Sequence, residues 1–138
     1  MSMRYRTQAI NKDGGEGETF VPDGLAVAVS SPLNPDQDTS ASNPEQLLAL
    51  AWATCLNATA QVIAPSGRRT AVRVEVELHD AAEGVGYEFH ADAYLSVEGA
   101  SAEETEQVLV ASHARCPVSK LLKDAATARV HAEPYAIS

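Results

Sequence analysis

The chain has 138 residues, 45% of them apolar, with 19 Asp and Glu against 10 Lys and Arg and only two cysteines. A net charge of −9 and a pI near 4.8 leave no basic stripe to neutralise phosphates, which excludes nucleic acid or an anionic membrane surface as partner. The length suits a single domain, 1–138, with a core of its own.

From the N-terminus, Met1-Ser2-Met3-Arg4-Tyr5 carries no apolar signal region, so a soluble cytoplasmic protein is expected. In that reducing setting two cysteines read as reactive or buried thiols rather than a permanent disulfide. Residues 3–11 predict a first strand, with Tyr5, Thr7 and Ala9 opposite Arg4, Arg6 and Gln8, broken by Asp13-Gly14-Gly15. Thr19-Phe20-Val21 and Leu25–Val29 predict two strands around Pro22-Asp23-Gly24, a hairpin signal. A polar loop with two prolines, Ser31–Ser42, leads into the stretch that organises the chain, Asn43 to about Ala64. Asn43 can cap a helix that starts at Pro44, where the missing N–H costs nothing, and Gln46 can complete a capping box. Glu45 falls at the positive end of the helix dipole, a favourable place for a carboxylate in its own right. Small apolar residues on every face beyond the cap predict a helix buried all round. Asn57, Thr59 and Gln61 interrupt it and argue against a membrane span, and Pro65-Ser66-Gly67 ends it.

Val72, Val74, Val76 and Leu78 then alternate with Arg73, Glu75, Glu77 and His79, the period of a half-buried strand. After Gly84-Val85-Gly86 the return strand, Tyr87 to Glu98, alternates in the same way. Ser101-Ala102-Glu103-Glu104 is a second capping box and opens a helix with Val108, Leu109 and Ala111 inward. Pro117 forces a break at Cys116, followed by a short helix with Val118, Leu121 and Leu122 inward and a last strand near Ala128 to Glu133. This order of elements predicts an α+β domain with largely antiparallel sheet.

Cys116 opens a helix beside Arg115, and both features favour a thiolate. Cys55 lies mid-helix in apolar company, where burial disfavours the charged form; on local grounds it reads as a small core hydrophobe. His79, His90, His113 and His131 are not spaced as a ligand set, so no metal is expected, and no glycine-rich phosphate loop or nucleotide fingerprint calls for a cofactor.

Asn43-Pro44-Glu45-Gln46-Leu47-Leu48 with Ala53-Thr54-Cys55, and later Ala114-Arg115-Cys116-Pro117-Val118-Ser119, resemble the two signature stretches of the OsmC/Ohr family, the osmotically inducible and organic hydroperoxide resistance proteins. The resemblance covers nearly the whole chain and implies an OsmC-like fold, with antiparallel sheets around a long buried central helix in an intertwined homodimer. It also implies a thiol peroxidase in which Cys55 attacks an organic hydroperoxide and becomes a sulfenic acid, and Cys116 condenses with it to a disulfide. A dithiol, in the Ohr branch a lipoylated protein, would then reduce that bond. Glu45 matches the family's motif glutamate, which holds an arginine beside the reactive cysteine. Glu45 and Cys55 are ten positions apart on one helix, about 15 Å along its axis, so another segment or a second subunit must complete such a site. The family's arginine is absent here: Glu16 follows Gly14-Gly15, and Leu25 to Ser42 contains none. Arg115, then Arg4 and Arg6, are the first substitutes to consider, while Thr54 and Ser119 neighbour the cysteines and could hydrogen-bond a thiolate. Because a negative charge at Glu16 disfavours a thiolate, the alternative is a family member without efficient turnover that binds an apolar small molecule or senses oxidation.

Overall fold

The first sheet of the computed structural model, which describes residues 2–136, has the order β1-β2-β3, all antiparallel: β1 (Ile10–Asn11), β2 (Gly17–Phe20) and β3 (Ala26–Val29). The hairpin forms where Pro22-Asp23-Gly24 places it. Asp23 takes a left-handed φ of 58°, and the Val21 N–H donates to the Leu25 carbonyl at 2.7 Å. The expected strand over 3–11 is only its last two residues. Residues 2–9 are exposed and irregular, because pairing with the four-residue β2 stops at Ile10 opposite Phe20. The Gly14-Gly15 break is built by side chains, with the Asn11 amide bonding both the N–H and the carbonyl of Gly14. Glu16 then fastens the polar loop: its carboxylate accepts from the Ser30 hydroxyl, the Ser31 N–H and the Asn34 amide. Those donors, Asn34 foremost, hold its carboxyl below the ordinary glutamate range.

The chain divides into two compact units that meet in sequence at Pro44 and Glu45. The second begins with α1 (Pro44–Ile63) and continues as β4 (Thr70–Asp80), β5 (Tyr87–Val97), α2 (Ala102–Arg115), α3 (Pro117–Leu122) and β6 (Ala128–Ala132). Its sheet has the order β4-β5-β6. The long hairpin β4–β5 is antiparallel over eleven pairs, from Thr70 opposite Val97 to Asp80 opposite Tyr87. β6 departs from the antiparallel expectation and runs parallel to β5, because α2 and α3 carry the chain back to the starting end of the sheet.

The inner face of this sheet meets α1 and the later helices in two apolar clusters. One gathers Ala60, Leu95, Val97, Val108 and Leu109; the other gathers Trp52, Leu56, Ala91, Ala93 and Cys116. α1 is therefore a core helix, but the sequence expectation that it is buried all round fails. Only Trp52, Leu56 and Ala60, one stripe at helical spacing, are buried, while Leu50 is 63% and Val62 70% exposed. Leu121, expected inward, is 84% exposed, since the six-residue α3 turns Val118 and Leu122 to the core instead.

The α2 capping box forms as read. The Ser101 hydroxyl accepts from the Glu104 N–H at 3.1 Å, and the Glu104 carboxylate accepts from the Ser101 N–H at 2.9 Å. Ser101→Ala removes one of these bonds and is expected to lower the urea-unfolding free energy by about 0.5–2 kcal/mol, with an unchanged m-value. The outer face of the sheet is polar. Arg73 pairs with Glu133 at 2.9 Å and lies over the Tyr94 ring, His131 stacks on Tyr94 and contacts Asp92 at 2.8 Å, and His79 packs on His90. Among the described residues no three His, Cys, Asp or Glu side chains gather as a metal site.

Candidate active site

Pro117 shapes the site. It pushes Cys116 out of helical geometry, to φ −65° and ψ 123°, so this one residue ends α2 and starts α3. The Cys116 N–H still donates to the Ser112 carbonyl at 2.9 Å. Its sulfur occupies the place of a capping oxygen and accepts from the Ser119 N–H at 3.5 Å. The thiol is fully buried.

Cys55 reaches the same place from α1. It is half-buried against the cluster of Trp52, Leu56 and Cys116, and its thiol lies close enough to that of Cys116 to feel it. Burial pushes the Cys55 thiol up, and the neighbouring Cys116 sulfur adds to that. The Val118 N–H, in the first turn of α3, works the other way. The Ser119 N–H thus bonds the Cys116 sulfur, and the preceding amide, that of Val118, favours the Cys55 thiolate. No disulfide joins them in this structure.

Among the described residues of this second unit no cation offsets the rise. Arg68 pairs with Glu104, Arg73 with Glu75 and Glu133, and Arg129 with Asp92. Arg115, the last residue of α2, is exposed and is not among the groups acting on Cys55, while Arg4 and Arg6 lie in the exposed, irregular segment 2–9. Glu45 sits in the first turn of α1, half-buried, and finds no ion-pair partner among the described residues. The structure therefore brings Cys55 and Cys116 together and leaves Glu45 apart from them.

Two sequence-level neighbours act differently from expectation. The Thr54 hydroxyl donates back to the Leu50 carbonyl at 2.8 Å, as helix threonines do, and serves no cysteine. Ser119 contributes its backbone N–H to Cys116, while its hydroxyl accepts from the Trp52 indole N–H at 2.9 Å. Trp52 and Leu56 pack around Cys55, while Ala51, on another face of the helix, is exposed. The Val118 amide and the Trp52–Ser119 bond were not singled out in the sequence. Pro117 immediately after Cys116 was the available signal, because it makes the next residues the free amides of a helix start.

Fold and site together define an α+β protein with two facing thiols at the junction of three helices. The OsmC-like protein family model matches residues 36–131, and the chain belongs to that family. An organic hydroperoxide resistance protein-like sequence of Mycoplasma pneumoniae is 32% identical over 128 residues, covering 89% of this chain and 90% of its own. A solved Lactobacillus casei structure, provisionally named a redox protein, is 35% identical with a TM-score of 0.79, covering 99% of this chain and 96% of its own. An organic hydroperoxide resistance protein of Elizabethkingia anophelis shares the fold at 20% identity, with a TM-score of 0.85 over 98% of this chain and the whole of its own.

Proposed function

We propose that this protein is a thiol peroxidase that reduces organic hydroperoxides to alcohols. The observation that carries the reading is the meeting of the Cys55 and Cys116 side chains, brought from separate helices into one apolar cluster. Cys55, as thiolate, attacks the terminal oxygen of the hydroperoxide; the O–O bond breaks, the alcohol leaves with a proton, and Cys55 becomes a sulfenic acid. Cys116 then attacks that sulfur, water leaves, and the disulfide forms. A dithiol, such as a lipoylated protein, restores both thiols by exchange. No bound cofactor is needed. The apolar surroundings of Cys55, with Val118, Val74 and Val76 partly buried around its cluster, suit an alkyl or aryl peroxide better than hydrogen peroxide. The relatives named for organic hydroperoxide resistance support that substrate class.

The working form in this reading is a cytoplasmic homodimer. Its support is the outer face of α1, where Gln46, Ala49, Leu50 and Ala53 border an open apolar groove with Val74. A second copy covering that groove would also give Glu45 and an arginine of the other subunit the chance to meet Cys55.

A second reading, a redox sensor or apolar-ligand binder without efficient turnover, has one observation behind it. The Cys55 thiol is pushed up, and among the described residues of its own unit no cation lowers it. The two readings separate on reduced wild-type protein mixed with one equivalent of cumene hydroperoxide. The peroxidase loses both free thiols and two hydrogens of intact mass within seconds. Retention of both thiols over minutes overturns turnover and leaves the sensor or binder.

A further inference from the structure

The hydrogen bond from the Trp52 indole N–H to the Ser119 hydroxyl, 2.9 Å long and fully buried, joins the two cysteine-bearing segments. Trp52 precedes Cys55 by three residues on α1, and Ser119 follows Cys116 by three on α3. Each partner is thus about one helical turn from a cysteine, on the side of its helix that faces the other. Ser119 holds the junction a second way, since its N–H caps onto the Cys116 sulfur. Among the described residues no backbone hydrogen bond joins α3 to α1; this side-chain bond ties them, beside the apolar packing of Trp52, Leu56, Val118 and Leu122.

We propose that Trp52 and Ser119 are positioning residues, a latch that sets the effective concentration of the Cys55 thiol at Cys116 and so the ease of forming their disulfide. This rests on the reading of the two cysteines as a redox pair. Neither residue touches the peroxide in the proposed step. Apolar contacts are non-directional and permit α3 to slide along α1. A hydrogen bond with a buried donor and a buried acceptor does not, because leaving either one unpaired is costly. Closure to a disulfide demands a specific separation and torsion of the two sulfur-bearing carbons, so small slides of α3 tell directly on the reaction.

The test is the equilibrium of the full chain with a reduced and oxidised glutathione buffer. There the protein's two thiols reduce one oxidised glutathione to two reduced glutathiones and become the disulfide. Ser119→Ala and Trp52→Phe are each expected to shift that equilibrium toward the dithiol by roughly threefold to tenfold, the worth of one buried hydrogen bond. The double variant shifts no further than the larger single effect, since both changes remove the same bond. Leu109→Ala, in the other apolar cluster, serves as the control. It lowers the melting temperature and leaves the glutathione equilibrium where wild type has it. Unshifted single variants, or singles whose effects add, overturn the latch. If the variants shift as expected while wild type ignores cumene hydroperoxide, the peroxidase reading falls and the latch stands.

Discussion

Cys116→Ser is expected to consume one equivalent of cumene hydroperoxide and stop, holding Cys55 as a sulfenic acid that a dimedone adduct reveals. Cys55→Ser consumes none beyond the uncatalysed rate and keeps Cys116 reduced. The asymmetry follows from where the sulfurs sit. Cys116 is fully buried behind the junction of α2 and α3, so a peroxide meets Cys55 first. Cys116, packed in the same cluster beside Cys55, is left to resolve the sulfenic acid formed there. Adducts of equal yield at the two positions would overturn the assignment. The pH dependence of the first step gives the sign of the electrostatics. Burial raises the Cys55 thiol above its ordinary value, so below that value the thiolate fraction, and with it the rate, climbs ~tenfold per pH unit. The climb then continues past about pH 8.5, the free-thiol value. A rate already level at pH 7 would mean that a cation from outside this chain stands at Cys55 in the working protein. The same shift has a stability consequence of defined sign. The unfolded thiol ionises before the folded one, so folding stability is complete below the free-thiol value and declines as pH rises through the folded value.

Much of this site was legible in the sequence, and the reasons are local. Cap residues and proline act within a few positions of themselves. Ser101 with Glu104 located the start of α2, Pro117 located the break at Cys116, and the Val72–Leu78 alternation located β4. The two motifs carrying Cys55 and Cys116 gave the family, which the OsmC-like match over 36–131 bears out. What composition could not reveal is which apolar residues lack a neighbour. Leu50 and Leu56 are the same residue type on one helix, yet only contacts far along the chain decide that one is buried and the other bare. The all-round burial expected of α1 failed for that reason. The expected strand over 3–11 failed for a related one, because strands need a partner of matching length and β2 offers four residues. Bottom-up chemistry ranked Cys116 the better thiolate from its helix start alone. The fold adds that the amides of that start serve both sulfurs, Val118 for Cys55 and Ser119 for Cys116. A pairing between a helix and the first turn of another is invisible to any periodicity along one segment.

Leu56→Ala and Leu50→Asp, six positions apart on α1, should fail in opposite ways. Leu56 is completely buried with Trp52, Ala91, Ala93 and Cys116, where the strands leave no room for collapse. Its truncation removes buried methyl groups and leaves a cavity, for an expected loss of about 2–5 kcal/mol. At roughly 3–4 °C per kcal/mol for a chain of this size, the melting temperature falls by about 6–20 °C. Leu50 is 63% exposed beside the apolar groove of α1, so a single folded chain loses little when it becomes aspartate. A homodimer closed over that groove loses a great deal, because the symmetry places the new charge in the interface twice and leaves it unpaired. Light scattering after size exclusion is therefore expected to read a dimer for wild type and Leu56→Ala, and a monomer for Leu50→Asp at micromolar concentration. The melting temperature of the wild type would rise with protein concentration, as linkage to association requires, and that of Leu50→Asp would not. A wild type that runs as a monomer, or a Leu50→Asp that still runs as a dimer, removes the α1 face from the interface. Cys55 must then work with the groups of its own chain, where the Val118 amide is what favours its thiolate.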